Sequence, residues 1–189
     1  MNSGHMSMTE TFEDEAVLIE AAKLDPAAFE PLYQRYMTRV YRYLYFRVGN
    51  AEDAADLTQQ VFLKVLHALP SYRMRGVPFA AWLFRIAHDT VSDMYRREKR
   101  AVSLSWDFFA DDELLSTDVD PELLILRQEQ LVQLNRLLHQ LDPFKLDLLV
   151  LRFSGGLSGT EIALVVGKSQ AAINKQLSRT LHYLKEHMS

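Results

Sequence analysis

At 189 residues, with 48% hydrophobic and 24% charged side chains, the sequence reads as one or two globular domains rather than a disordered chain. The absence of cysteine excludes disulfides and thiolate metal sites, and no apolar run approaches the roughly 20 residues that cross a bilayer. The net charge of −4 is uneven: residues 1–100 balance, 101–120 carry −6 and 121–189 carry +2, a pattern of two domains joined by an acidic linker.

Met1 to Met8 has neither the charged nor the apolar part of a signal peptide, so the cell interior (cytoplasm) is the expected location. Ser3-Gly4-His5-Met6 resembles a cloning remnant, which would put the natural start at Met6 or Met8. Glu13 to Leu24 forms a short amphipathic stretch, so residues 1–24 are read as an extension with a first helix. Asp25-Pro26 then offers a cap and a first-turn proline. Phe29, Leu32, Tyr33, Tyr36, Val40 and Leu44 follow at helical spacing until Gly49-Asn50. A second helix is expected from about Ala51 to Leu69, with Ala54, Leu57, Val61, Phe62, Val65 and Leu69 inward. After a loop from Pro70 to Pro78, a third is expected to about Arg100, burying Phe79, Leu83, Ile86, Ala87, Val91 and Met94.

Residues 101–120 lack a period and a basic side chain and read as a flexible or extended linker. Asp120-Pro121 and Asp142-Pro143 each repeat the cap-plus-proline start, opening helices to about Leu141 and Phe153. The expected fold class is therefore all-α: helical domains over 25–100 and 121–189, joined by the linker.

The sharpest local signal lies at the end. Ser158 and Glu161 have capping-box spacing, Gly167 is placed as a left-handed stop, and Ser169 can cap the next helix immediately. Helix, glycine turn and second helix over 158–187 form a helix-turn-helix, the motif whose second helix enters the major groove. Ala172, Ile173, Leu177, Leu181 and Leu184 are expected inward, leaving Gln170, Ala171, Asn174, Lys175, Ser178 and Arg179 outward, with Lys168 in the turn. Amides and cations of this kind bond base edges and phosphates. A plain helical hairpin would share the same capping signals, and the helix is only mildly basic, so its own affinity for DNA should be weak.

Two further faces stand out. The helix from Phe79 ends in Arg96-Arg97-Glu98-Lys99-Arg100 and carries Arg85, His88, Asp89, Ser92 and Asp93 outward. Tyr72, Phe79, Trp82 and Tyr95 lie nearby; such rings can hold unstacked bases, although at helical spacing an aromatic is more often core. Asp53, Asp56, Gln59, Gln60 and Lys64 line a polar face of the preceding helix that chemistry alone would not single out.

Asp53 to Val65, followed by Phe79-Ala80-Ala81-Trp82-Leu83-Phe84-Arg85-Ile86-Ala87 and the basic run from Tyr95, resembles region 2 of extracytoplasmic-function RNA polymerase sigma factors. Leu141 to Leu184, with Gly155-Gly156-Leu157-Ser158-Gly159-Thr160-Glu161-Ile162-Ala163, resembles their region 4. The resemblance implies a transcription initiation factor without catalytic residues, cofactor or metal. It implies core-polymerase docking (beta and beta-prime subunits) through Asp53, Asp56, Leu57, Gln59, Gln60 and Phe62. It implies minus-ten recognition by Arg73, Arg75, Arg85, His88, Asp89, Ser92, Arg96 and Arg97, with the loop Ser71 to Val77 capturing a flipped base. Minus-thirty-five recognition falls to Lys168, Gln170, Ala171, Asn174, Lys175, Ser178 and Arg179. Promoter DNA and an anti-sigma factor are the further partners it implies, with the acidic linker directed toward the polymerase cleft.

Three stretches depart from the family pattern: Asp89 where asparagine is usual, Asp142-Pro143-Phe144-Lys145, and Gln170-Ala171-Ala172-Ile173-Asn174-Lys175-Gln176-Leu177. Two other readings compete. A stand-alone helix-turn-helix regulator explains 142–187 but leaves the region 2 pattern unused. A metal-dependent nuclease would need Asp107, Asp111, Asp112 and Glu113, which sit in a segment without the rigid scaffold that metal chemistry requires.

Overall fold

The protein is described as a computed structural model covering residues 6–73, 76–98 and 121–188. Arg75, Lys99, Arg100 and the acidic segment 101–120 with its four candidate carboxylates lie outside the described residues, as does the start. The described residues form helices α1 (Met6–Leu24), α2 (Glu30–Val48), α3 (Ala51–Ala68), α4 (Phe79–Glu98), α5 (Pro121–His139), α6 (Pro143–Phe153), α7 (Gly159–Val166) and α8 (Gln170–His187), with no strand among them. The all-α expectation holds.

The punctuation works largely as the sequence predicts. The Asp25 carboxylate accepts from the Ala27 N–H at 2.9 Å, but the turn it opens, Pro26–Phe29, is a 3₁₀ turn rather than the start of α2. Pro31 is the reason: it has no N–H to offer the Ala27 carbonyl, so an α-ladder cannot run through and the helix restarts at Glu30. Gly49, left-handed at φ 70°, closes α2, and the Asn50 side chain caps α3 by accepting from Glu52 and Asp53 at 2.8 and 3.0 Å. A second 3₁₀ turn, Leu69–Ser71, follows α3.

Helices α2, α3 and α4 bury Leu32, Val40, Leu44, Ala54, Val61, Val65, Phe79, Leu83, Ala87 and Val91, with Ile86 and Met94 half-buried at the edge. Burial of each large side chain contributes roughly 1.5–3 kcal/mol, which is what holds short capped helices together. Aromatic edges interlock across this core, Tyr36 on Phe79 at 5.4 Å and Phe29 on Phe62 at 6.2 Å. In the C-terminal helices, Leu146, Leu148, Val150 and Leu151 of α6 pack with Leu157, Ile162, Ile173, Leu177 and Leu184. The apolar core runs on from one set of helices to the other: α7 lies against α4, α6 against α2, and Tyr43 meets Phe84 edge-on at 5.7 Å at this junction.

Two inward expectations are corrected. Ala172 is exposed and Leu181 is 41% exposed, because the buried stripe of α8 runs Ile173, Leu177, Thr180 and Leu184 and leaves both on its flank. Tyr33 is exposed along one side and lies edge-on over Phe62 at 4.7 Å.

Candidate functional site

The polar face of α3 is real. Asp56, Gln59, Gln60 and Lys64 are exposed and Asp53 is half-buried, while Leu57 and Phe62, grouped with them as docking residues, are buried beneath that face. Phe62 supports it from below through Phe29 and Tyr33 and presents almost no surface of its own. Between α3 and α4 lies a hollow of about 250 Å³ lined by Asp53, Asp56, Leu57 and Gln60 from one side and Thr90, Asp93, Met94 and Arg97 from the other. Lys64 bridges the two helices, donating to the Thr90 hydroxyl at 2.9 Å. Arg97, expected at minus-ten DNA, thus meets Asp53, Asp56, Leu57 and Gln60, expected at polymerase, across one hollow.

Along α4, Arg85, Asp89, Arg96 and Arg97 are exposed, as the helical spacing requires. Ser92 and His88 are half-buried; the Ser92 hydroxyl donates back to the His88 carbonyl at 2.7 Å, and Arg96 pairs with Asp93 one turn away. Arg73 stands exposed at the loop and donates to the Pro70 carbonyl at 3.2 Å. The aromatics divide. Tyr72 is buried, packed at a tilt against Trp82 at 4.7 Å, with its hydroxyl donating to the Val77 carbonyl at 2.8 Å and its phenol pushed up to about 12 by burial and the Glu15 charge. Phe79 and Tyr95 are core as well, and Tyr95 donates to the Arg47 carbonyl. Trp82, half-buried, alone among the four keeps part of its face at the surface.

The last two helices, α7 and α8, form with the caps that the sequence places there. Ser158 accepts from the Glu161 N–H at 3.2 Å, Glu161 accepts from the Ser158 N–H at 2.8 Å, and Gly167 adopts φ 67°. Ser169 accepts from the Ala172 N–H at 3.3 Å and starts α8. Lys168, Gln170, Ala171, Asn174, Lys175, Ser178 and Arg179 are all exposed, on α8 and the turn before it. Asn174 reaches toward the start of α7, where a Cβ on Gly159 would collide with its carboxamide.

One constellation was missed by sequence reasoning. Asp147 of α6 is 3% exposed, and its carboxylate receives Arg47 of α2 at 2.5 Å, His88 Nε2 of α4 at 3.3 Å and the Tyr43 hydroxyl at 3.2 Å. Burial by itself would raise the Asp147 carboxyl, but the His88 bond and the Arg47 charge outweigh it and hold it below the usual carboxylate range. The Asp147 bond raises His88 against the opposing effect of burial, and burial with the Asp147 charge raises Tyr43. The available signal was an acid inside the apolar run Leu146-Asp147-Leu148-Leu149-Val150-Leu151. No histidine, aspartate or glutamate cluster suited to a metal ion occurs among the described residues, and no described helix is long and apolar enough to cross a membrane.

Residues 32–101 match the family described as Sigma-70 region 2, a stretch that lies outside the part explained by a stand-alone helix-turn-helix regulator. The chain is 33% identical over 178 residues to the ECF RNA polymerase sigma factor SigD of Mycobacterium tuberculosis, covering 92% of this chain and 83% of SigD. It is 34% identical over 167 residues to the ECF RNA polymerase sigma factor BldN of Streptomyces coelicolor, covering 88% of this chain but only 61% of BldN's length. Among solved structures, it resembles in fold the sigma factor RpoE in complex with the anti-sigma factor NepR from Bartonella quintana, at a TM-score of 0.61 and 19% identity, over 85% of this chain and 96% of that one.

Proposed function

The chain belongs to the ECF RNA polymerase sigma factors, which makes it a transcription initiation factor, and from that premise we propose how its surfaces divide the work. Residues 25–100 act as the region 2 domain and 121–189 as the region 4 domain, with 101–120 as the linker between them. The exposed face of α3, through Asp53, Asp56, Gln59 and Gln60, docks on core RNA polymerase, with Leu57 and Phe62 fixing its shape from beneath. Arg73, Arg75, Arg85, His88, Asp89, Ser92, Arg96 and Arg97 engage the minus-ten element as it melts. The exposed side chains of α8 and its preceding turn read the minus-thirty-five element in duplex form, Lys168, Lys175 and Arg179 by phosphate and the amides by base edge. The protein works in the cytoplasm, carries out no catalysis itself, and is held in check by an anti-sigma factor, as the complex of RpoE with NepR suggests.

The observation that carries this reading is the hollow shared by the carboxylate- and amide-bearing face of α3 and the cationic end of α4, within the stretch that matches region 2. A polymerase contact and a DNA contact side by side suit a subunit that opens DNA only when polymerase is attached. The test is transcription from a promoter library by core polymerase with and without the protein, with transcript starts sequenced. Starts that appear only with the protein and share two spaced upstream motifs support the reading. Polymerase unaffected, with the protein alone shifting duplex DNA, would sink it.

A further inference from the structure

Asp147 occupies an unusual position for a charged residue. It points from the C-terminal helices into the N-terminal ones, where its carboxylate meets Arg47 and Tyr43 on α2 and His88 on α4. A second polar tie runs beside it. Arg39 of α2 lies over the rings of Tyr36 and Phe84 and donates two hydrogen bonds, at 2.9 and 2.5 Å, to the Gly155 carbonyl in the turn after α6. That turn rests on Phe84 so closely that a Cβ at Gly155 would stand 3.0 Å from the ring and 2.6 Å from the Leu151 carbonyl.

We propose that Asp147 is the bolt of an intramolecular latch that shuts the C-terminal helices against α2 and α4, and that the latch competes with minus-ten DNA for His88. Buried ion pairs confer little net stability relative to apolar packing but penalise severely the loss of one partner. A contact of that kind selects one arrangement of the two parts. When the parts separate, Arg47, His88 and Asp147 regain water, so opening carries no unpaired buried charge. With the latch shut, the imidazole edge that Nε2 would offer to DNA is turned to Asp147, and α7 of the helix-turn-helix is laid along α4. The latch stands on geometry alone. Its consequence for initiation rests on the minus-ten role proposed above.

The latch responds to pH in a definite direction. His88 faces Asp147 from α6, Asp89 of its own helix at 3.6 Å from Nδ1, and the charge of Arg47 from α2, while the Tyr43 phenol of α2 donates to the same Asp147 carboxylate. On the other side of α4, α3 presents Lys64, tied to Thr90, and the carboxylates Asp53 and Asp56. From α7 the titratable side chain is Glu161, engaged with Ser158. His88 is raised in the closed form, so its contribution to closure is complete below the ordinary histidine value of about 6.5 and is lost as pH rises through the raised one. Asp147 is lowered, so its own contribution persists above the carboxylate range and fails only in strong acid.

The chain has no cysteine, so Glu52→Cys and Glu186→Cys, both at exposed positions, accept a dye pair without background. Energy transfer in the full chain should fall as pH rises from about 6 to 9, through the histidine range. Asp147→Ala should lower transfer at every pH and remove the slope; His88→Gln should remove the slope alone. Asp147→Asn, isosteric and uncharged, gives the same readout should the alanine variant lose helicity. A folded Asp147 variant with wild-type transfer across the range overturns the latch. Opened Asp147 variants should initiate several-fold more transcripts with core polymerase than the wild type at equal concentration. An opened variant with equal or lower initiation overturns the competition, whereas a wild-type protein that directs no initiation refutes the proposed function and leaves the transfer result to judge the latch.

Discussion

Phe62 is the position at which support and contact can be told apart. It is 6% exposed and held edge-on by Phe29 and Tyr33, directly below the α3 face that carries Gln59 and Gln60. Removing a buried phenylalanine side chain costs about 3–5 kcal/mol, through lost transfer energy and the cavity left behind. Tyr33 is only partly covered and can settle into the gap, so the lower part of that range, about 3–4 kcal/mol, is expected for Phe62→Ala. At 2–4 °C per kcal/mol for a chain of this size, the melting temperature should drop by roughly 6–16 °C. Gln60→Ala, on the exposed face, should stay within about 0.5 kcal/mol of wild type while weakening binding to core polymerase. Urea unfolding followed by far-UV circular dichroism, with a core-binding titration alongside, measures both. A Phe62→Ala protein that loses less than about 1 kcal/mol yet fails to bind polymerase would refute the reasoning, because Phe62 would then be a contact and not a prop.

Two further substitutions probe the helix-turn-helix. Ser158→Ala removes the acceptor for the Glu161 N–H and should cost about 1 kcal/mol, with faster hydrogen exchange in the first turn of α7 than elsewhere in the motif. Gly167→Ala meets no neighbouring atom, so its cost should be the backbone strain of a left-handed residue alone, about 1–2 kcal/mol by urea unfolding. Gly167→Asn should recover much of that loss, since asparagine tolerates the left-handed region; equal losses for both would point to a cause other than φ.

The helices, their caps and the faces of α3, α4 and α8 were legible because each is a local matter. Asp142 and Ser158 cap as their positions in the sequence require, and Gly49 and Gly167 end helices at the expected residues. Exceptions arose where two local rules met. Asp25-Pro26 is a sound start signal, but Pro31 five residues later interrupts the ladder it would begin. On α8, Leu181 has the right chemistry for the core, yet the stripe drifts across the helix and Thr180 takes the place instead. The Arg47–Asp147–His88 cluster was beyond local reading. Its members lie on three helices, up to 100 positions apart, and nothing near Arg47 or His88 announces a partner.

The hydrogen bonds from Arg39 to the Gly155 carbonyl also anchor the turn that follows α6. Ser154 and Gly155 close the last turn by donating to the Val150 carbonyl and Leu157 donates to the Leu151 carbonyl, while the Gly155 carbonyl, two residues past the helix, accepts from a guanidinium of α2, 116 positions earlier. A cation at that end also opposes the negative pole of the helix. The turn that follows α6 is therefore held in part by the other half of the molecule. Amide exchange at Ser154 and Gly155 becomes a native gauge of whether the halves are together, readable without dyes or substitutions. By the same logic, sequence drift at position 39 and in the turn 153–156 should be tied, since a change on one side removes the partner of the other.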